Sequence, residues 1–155
     1  MKRMSRASRP ARHASGFFRE HSLSLIVSSI LAVLVLLYIR SDPSTHLGAF
    51  YGNAIADWLG MLVFVVATKY FFEVGSKESR RLPPHLHVRI ARVLVRHSLT
   101  LVLVATGAVW VAVFARGGVD SKWGAVTGNI VSEWTQILGL VIITKYAKER
   151  GSKES

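Results

Sequence analysis

Residues 68–79 read "TKYFFEVGSKES" and residues 144–155 read "TKYAKERGSKES", nearly the same twelve residues written twice in one chain. Shifting the sequence by 76 positions aligns it with itself without a gap, with 24 identities over the 59 positions 21–79. His21-Ser22-Leu23 falls on His97-Ser98-Leu99, Gly48-Ala49 on Gly124-Ala125, Gly52-Asn53 on Gly128-Asn129, and Asp57-Trp58 on Glu133-Trp134. Self-similarity at a fixed offset is the signature of a duplicated supersecondary unit. The identities gather at the two ends of the unit's apolar stretches, whereas between them the copies share little beyond apolarity.

The character of the unit follows from its charge pattern. Residues 22–39 ("SLSLIVSSILAVLVLLYI") and 98–115 ("SLTLVLVATGAVWVAVFA") hold no charged side chain. As helices each runs roughly 27 Å, close to the thickness of a bilayer's hydrocarbon core. Residues 54–72 and 130–147 are nearly as apolar, each with an acid near its start (Asp57, Glu133) and a lysine near its end (Lys69, Lys145) that can snorkel to headgroups. Half of the 155 residues are apolar and mean hydropathy is +0.34. The expectation is an all-α integral membrane protein with four transmembrane helices, arranged as two tandem, same-orientation helical hairpins. A pseudo-twofold axis along the membrane normal relates hairpins of equal orientation. The first apolar stretch ends on "LLYIRSDP", without a small-x-small cleavage pattern, and is not read as a cleaved signal.

The formal charge of +11 then acquires a meaning. Six Lys/Arg precede the first span (Lys2, Arg3, Arg6, Arg9, Arg12, Arg19) and six lie between the second and third (Lys77, Arg80, Arg81, Arg89, Arg92, Arg96). Lys148, Arg150 and Lys153 follow the fourth, and only Arg40, Arg116 and Lys122 occupy the other two connections. By the positive-inside rule both termini and the middle loop face the cytoplasm. The basic excess is topology first and attraction to anionic lipid headgroups second, with Arg89, Arg92 and Arg96 as the headgroup residues. Nucleic acid is not an expected partner. With no cysteine, disulfides and thiolate chemistry are excluded.

The chain divides into a basic, disordered arm (1–16), a first two-helix membrane repeat (17–79), a cytoplasmic linker with a basic amphipathic helix (80–96) and a second membrane repeat (97–155). Asp42-Pro43 reads as an N-cap and first helical residue, with Asp120 in the same role before Ser121. The second helix of each repeat is therefore expected to start there rather than at Asn53 or Asn129. Gly48 and Gly52, like Gly124 and Gly128, offer small faces to a neighbouring helix. Ser24, Ser28 and Ala32, with Thr100, Val104 and Ala108, suggest where the first helix packs. Trp58 and Trp134 read as anchors of the outer aromatic belt.

Two groups of residues are candidate sites. Asn53, Asp57, Gly60, Phe64 and Thr68 share one helical face, and the repeat supplies Asn129, Glu133, Gln136, Leu140 and Thr144. Polar side chains in a span face the bundle interior or a water-filled path. They are either interhelical glue or a polar path narrowed at Phe64 and Leu140. At the cytoplasmic ends, Gly75 and Gly151 read as helix-closing glycines. The blocks Gly75, Ser76, Lys77, Glu78, Ser79 and Gly151, Ser152, Lys153, Glu154, Ser155 are a candidate docking surface, since a cap demands only the glycine. His21 and His97 read as interfacial anchors. No metal-ligand spacing, phosphate-binding loop or nucleophile-base pattern is present, so no cofactor, metal or enzymatic activity is expected.

The segments "FFREHSLSL" (17–25), the acid-tryptophan pairs at Asp57-Trp58 and in "EWTQ" (133–136), and the two "GSKES" blocks resemble a family of small bacterial multi-pass membrane proteins classed as a domain of unknown function. The resemblance implies a bacterial inner-membrane protein built of helical hairpins and brings no activity. Four short helices barely enclose a private path, so a homo-oligomer or another membrane protein is expected as partner. The functional expectation is a non-enzymatic accessory or scaffold subunit of a membrane complex. The alternative is a homo-oligomeric channel- or transporter-like protein using the polar stripes.

Overall fold

The structure, a computed structural model, describes residues 17–79, 89–118 and 121–147. Helices α1 (Ser22–Arg40), α2 (His46–Tyr70), α3 (Arg89–Arg96), α4 (Ser98–Arg116) and α5 (Gly124–Ile143) follow in order, and no strand occurs among the described residues. Four of them, α1, α2, α4 and α5, are long and apolar enough to cross a membrane. The arm 1–16, Pro83-Pro84, Asp120 and the second block Gly151–Ser155 lie outside the described residues.

The helices pack as a row in which α2 and α5 are the inner pair, with α1 against α2 and α4 against α5. One cluster of buried residues joins Tyr38, Ile55, Ala56, Val126, Ile130 and Trp134; the other joins Ala67, Leu99, Leu103, Ile137 and Val141. The packing face of α1 is Val27, Leu31, Leu34 and Tyr38, while Ser28 and Ala32 are exposed. The small stripe Ser24-Ser28-Ala32 is thus not the contact: large side chains reach across to α2, Ser28 and Ala32 face outward, and Ser24 is half-buried. Ser29 satisfies its hydroxyl on its own helix, at 2.8 Å from the Leu25 carbonyl.

Gly52 and Gly128, which the two copies share, are covered from within the chain. A Cβ on Gly52 meets the Tyr38 ring at 3.2 Å, and one on Gly128 meets the Phe114 ring at 3.1 Å. The aromatic residue near the end of α1 or α4 lies against the glycine of the helix that follows. At Gly52 and Gly128 the faces expected to receive a neighbouring helix are therefore filled by these rings. Gly48 is tighter still, since a Cβ there falls 1.9 Å from the Asp42 carbonyl oxygen. Gly48→Ala is expected to destabilise the folded protein by about 1–3 kcal/mol, because the obstacle is backbone that only a rebuilt turn can move. The thermal midpoint in mild detergent checks this, with Ala49→Gly as the control.

Helix α2 begins later than Asp42-Pro43. Its N-cap is Thr45, whose hydroxyl accepts the Gly48 N–H at 3.1 Å and donates to the Asp42 carbonyl at 2.7 Å. Asp42 instead closes the preceding turn, accepting the Ser44 N–H at 2.9 Å and the Ser44 hydroxyl at 2.7 Å. Those bonds hold the Asp42 carboxyl below the usual carboxylate range. Asn53 and Asn129 lie inside their helices and cap nothing. Opposite, Lys122 closes the end of α1: its ammonium donates to the carbonyls of Ile39 (3.0 Å) and Ser41 (2.6 Å), above the Tyr38 ring. A cation on the unpaired last carbonyls is the favourable arrangement for a helix C-terminus.

Candidate functional site

The inner pair brings the two polar stripes together. Asp57 and Glu133 come to the same place across the α2–α5 contact. They line a cavity of about 350 Å³ with Gly60, Met61, Phe64, Ile137 and Leu140. The missing side chain at Gly60 makes the approach possible, since a Cβ there stands 3.1 Å from a Glu133 carboxylate oxygen. Asn53 Nδ2 donates to Asp57 at 3.3 Å and Gln136 Nε2 donates to Glu133 at 3.3 Å. Asn53, Asp57 and Gln136 are exposed, and Glu133 and Asn129 are half-buried. This face therefore opens to the side of the helix pair rather than into a closed interior.

Thr68 and Thr144 take no part in the cavity. Their hydroxyls donate to the carbonyls one turn back, Phe64 at 2.7 Å and Leu140 at 2.9 Å. Phe64 and Leu140 form apolar walls beside the acids. Asp57 lies five residues past Gly52, which touches Tyr38 near the end of α1, and twelve before Lys69, about 8 Å and about 18 Å along the helix.

Trp134 is not a belt anchor. It is 4% exposed, its ring lies against Gly107, and its Nε1 donates to Thr106 Oγ1 at 2.9 Å, halfway along α4. An indole buried at that depth requires an acceptor, and Thr106 supplies it.

The second assembly centres on Glu73, which the sequence reading did not single out. The available signal was its identity with Glu149 in the repeat. Helix α2 ends at Tyr70 and Phe71 is extended (φ −109°, ψ 161°); Gly75, at φ +95°, turns the chain five residues later. Gly75 is thus not the helix-closing residue. The chain leaves the helix early because residues 72–74 serve the open end of α4. Leu99 N–H donates to the Phe72 carbonyl at 3.0 Å, and Thr100 N–H donates to Glu73 Oε2 at 3.2 Å. Phe72 N–H donates to Ser98 Oγ at 2.9 Å, and Val74 N–H to the Arg96 carbonyl at 2.9 Å. A carboxylate at a helix N-terminus also meets the positive end of the helix dipole.

Glu73 is 2% exposed. Its Oε1 is 2.6 Å from His97 Nδ1, which donates to it, and it also receives the Lys145 ammonium. Burial pushes the carboxyl pKa up, but the hydrogen bonds from Lys145, Thr100 and His97 outweigh it and hold the value at about 2. The first "GSKES" block folds onto the same place. Ser79 Oγ accepts the Glu73 N–H at 2.6 Å, and Ser76 Oγ sits 3.0 Å from Thr144 Oγ1. Lys77 is exposed, and Ser76, Glu78 and Ser79 are half-buried.

Both first helices enter alike. His97 (φ −120°, ψ 18°) separates α3 from α4, and His21 (φ −117°, ψ 10°) separates helical residues 17–20 from α1. Arg96 is exposed beside exposed Val93 and Leu94 in α3; Arg89 and Arg92 lie on the same helix. Among the described residues no three His, Asp or Glu side chains converge to hold a metal. Comparison of the chain with family models, with curated proteins and with solved structures finds no match.

Proposed function

We propose that this protein is a non-enzymatic accessory or scaffold subunit of a complex in the bacterial inner membrane, meeting its partner through the exposed face of α2 and α5. The observation that carries this reading is the Asp57–Glu133 pair, one acid exposed and the other half-buried, inside two helices long and apolar enough to span a membrane. An acid facing hydrocarbon costs about 2.5–3.5 kcal/mol, so such residues face protein or water instead. A partner helix offering basic or hydrogen-bond-donating side chains at that depth converts the cost into an attraction. The first "GSKES" block is engaged with Glu73 and Thr144. That favours recognition inside the bilayer over docking on the block itself.

The same reading takes the chain as a tandem duplication of one hairpin, with both termini and the linker cytoplasmic. The matched contacts support it: Tyr38 on Gly52 and Phe114 on Gly128, with equal backbone angles at His21 and His97. Helix α3 then lies along anionic headgroups through Arg89, Arg92 and Arg96.

A second reading is favoured by the open cavity between the acids. Several copies turning these faces inward form a polar path past Phe64 and Leu140, which makes a homo-oligomeric permeation protein. Native mass spectrometry of the protein taken from its own membrane separates the two. A stoichiometric foreign subunit is the expected result. A homo-oligomer alone transfers the weight to permeation, to be pursued by flux into liposomes.

A further inference from the structure

We propose that the partner places one Lys or Arg side chain in the cavity between α2 and α5, from a membrane helix that runs parallel to this pair. This rests on the scaffold reading above and names what the partner brings to it. Asp57 and Glu133 supply carboxylates to the cavity, and Met61, Phe64, Ile137 and Leu140 supply apolar wall, with no basic side chain in the lining. Asn53 and Gln136 turn their amide nitrogens toward the acids, which leaves their carbonyl oxygens as further acceptors. Such a site fits an occupant that donates hydrogen bonds and never accepts them, and Lys and Arg do so while bringing the complementary charge. The apolar wall fits the stem of the same side chain, three or four methylenes long.

Helices α2 and α5 run in the same direction, since Gly52 lies against Val126 and Gly60 against Glu133 and Ile137. Met61 and Phe64 follow Asp57, and Ile137 and Leu140 follow Glu133, so the apolar wall lies on the C-terminal side of the acids. Glu133 Oε2 stands at the level of Gly60, where a Cβ would meet it at 3.1 Å. Phe64 is four residues further on, about 6 Å along the helix. A helical side chain leans toward the N-terminus of its own helix. A stem laid on Phe64 with its charge at Gly60 therefore belongs to a helix whose N-terminus is at the same end as those of α2 and α5. Its Cα sits near the level of Phe64, one turn from the carboxylate, which is the reach of an i, i+4 ion pair. A second copy of this chain has no such residue to offer. In the four spanning helices the Lys and Arg residues are Arg40, Lys69 and Arg116, each last or next to last in its helix. The occupant is a different protein.

Photo-crosslinking of the full chain in its own membrane tests this. Phe50, Asp57 and Phe64 recur every seven residues and so share one face of α2. p-Benzoylphenylalanine replaces Phe50 or Phe64, aromatic for aromatic, and mass spectrometry of the digested adducts locates the attachment points. The expected result is that both adducts fall on one membrane helix of a foreign protein. The Phe50 adduct lies N-terminal to the Phe64 adduct, with a Lys or Arg between the two points or at the second. Changing that basic residue to Leu then releases the partner as strongly as Asp57→Asn with Glu133→Gln, and combining the changes releases little more, because coupled groups are non-additive. A reversed order, a helix without Lys or Arg in that interval, or additive losses overturn the proposal and leave a foreign partner at this face, so the scaffold reading stands. Adducts confined to lipid or to further copies of this chain, or no adduct at all, overturn both.

Discussion

Glu73→Gln destabilises the folded protein by about 3 kcal/mol and flattens its acid-denaturation limb. The folded carboxyl is held at about 2 against an ordinary 4.5. A depressed carboxylate contributes stability that is fully present above the unfolded value and lost as pH falls through the folded one. The wild-type protein therefore weakens between about pH 4.5 and about 2, and a shift of that size corresponds to about 3 kcal/mol. The glutamine keeps the shape and can still accept the Thr100 N–H, but it leaves the Lys145 ammonium beside a neutral group in a buried place. Removing one member of a buried ion pair typically costs about 3–5 kcal/mol, so Lys145→Met, which strands the carboxylate, is expected to be at least as damaging. Chemical or thermal denaturation in one detergent across pH reads both effects. A Glu73→Gln midpoint equal to wild type, with an unchanged acid limb, would show that the cluster carries no net stability.

The second large effect has the opposite signature. Asp57→Asn combined with Glu133→Gln is expected to release the partner while leaving the isolated protein as stable as before, or more so. Each carboxylate inside the span is unfavourable against lipid, so neutralising both removes a cost from the lone protein. The complex loses its charge-assisted bonds. Truncating one side of a desolvated charge pair costs about 2–5 kcal/mol, on the order of 10²–10³-fold in affinity. Quantitative co-purification from native membranes, paired with a melting curve of the purified variant, reads both quantities. Partner retention at wild-type level removes the acids from the interface. A variant that unfolds shows instead that the pair is internal glue between α2 and α5.

These two sites were visible in the sequence to different degrees. Two of the spans follow from composition alone, as runs of some eighteen uncharged residues that match the thickness of a bilayer's hydrocarbon core. The shared face of Asn53, Asp57 and Gly60 is equally local, being helical periodicity. That Asp57 meets Glu133, whereas Thr68 and Thr144 turn back to their own helices, depends on how α2 crosses α5. Trp134 shows the limit most clearly. Tryptophan belongs at a membrane interface on average, yet here Gly107 leaves room for the ring and Thr106 provides an acceptor at mid-span.

Glu73 marks the boundary between the two kinds of information. The sequence reading, with Gly75 as the helix-closing glycine, places it in the last turn of the second helix. Its role is set by His97 and Thr100, 24 and 27 residues away, and by Lys145, 72 residues away. Local composition decides whether a segment enters the bilayer, because transfer free energy sums over its own side chains. It does not decide whether a carboxylate is buried as an ion, because that depends on which donors the folded chain delivers to its two oxygens.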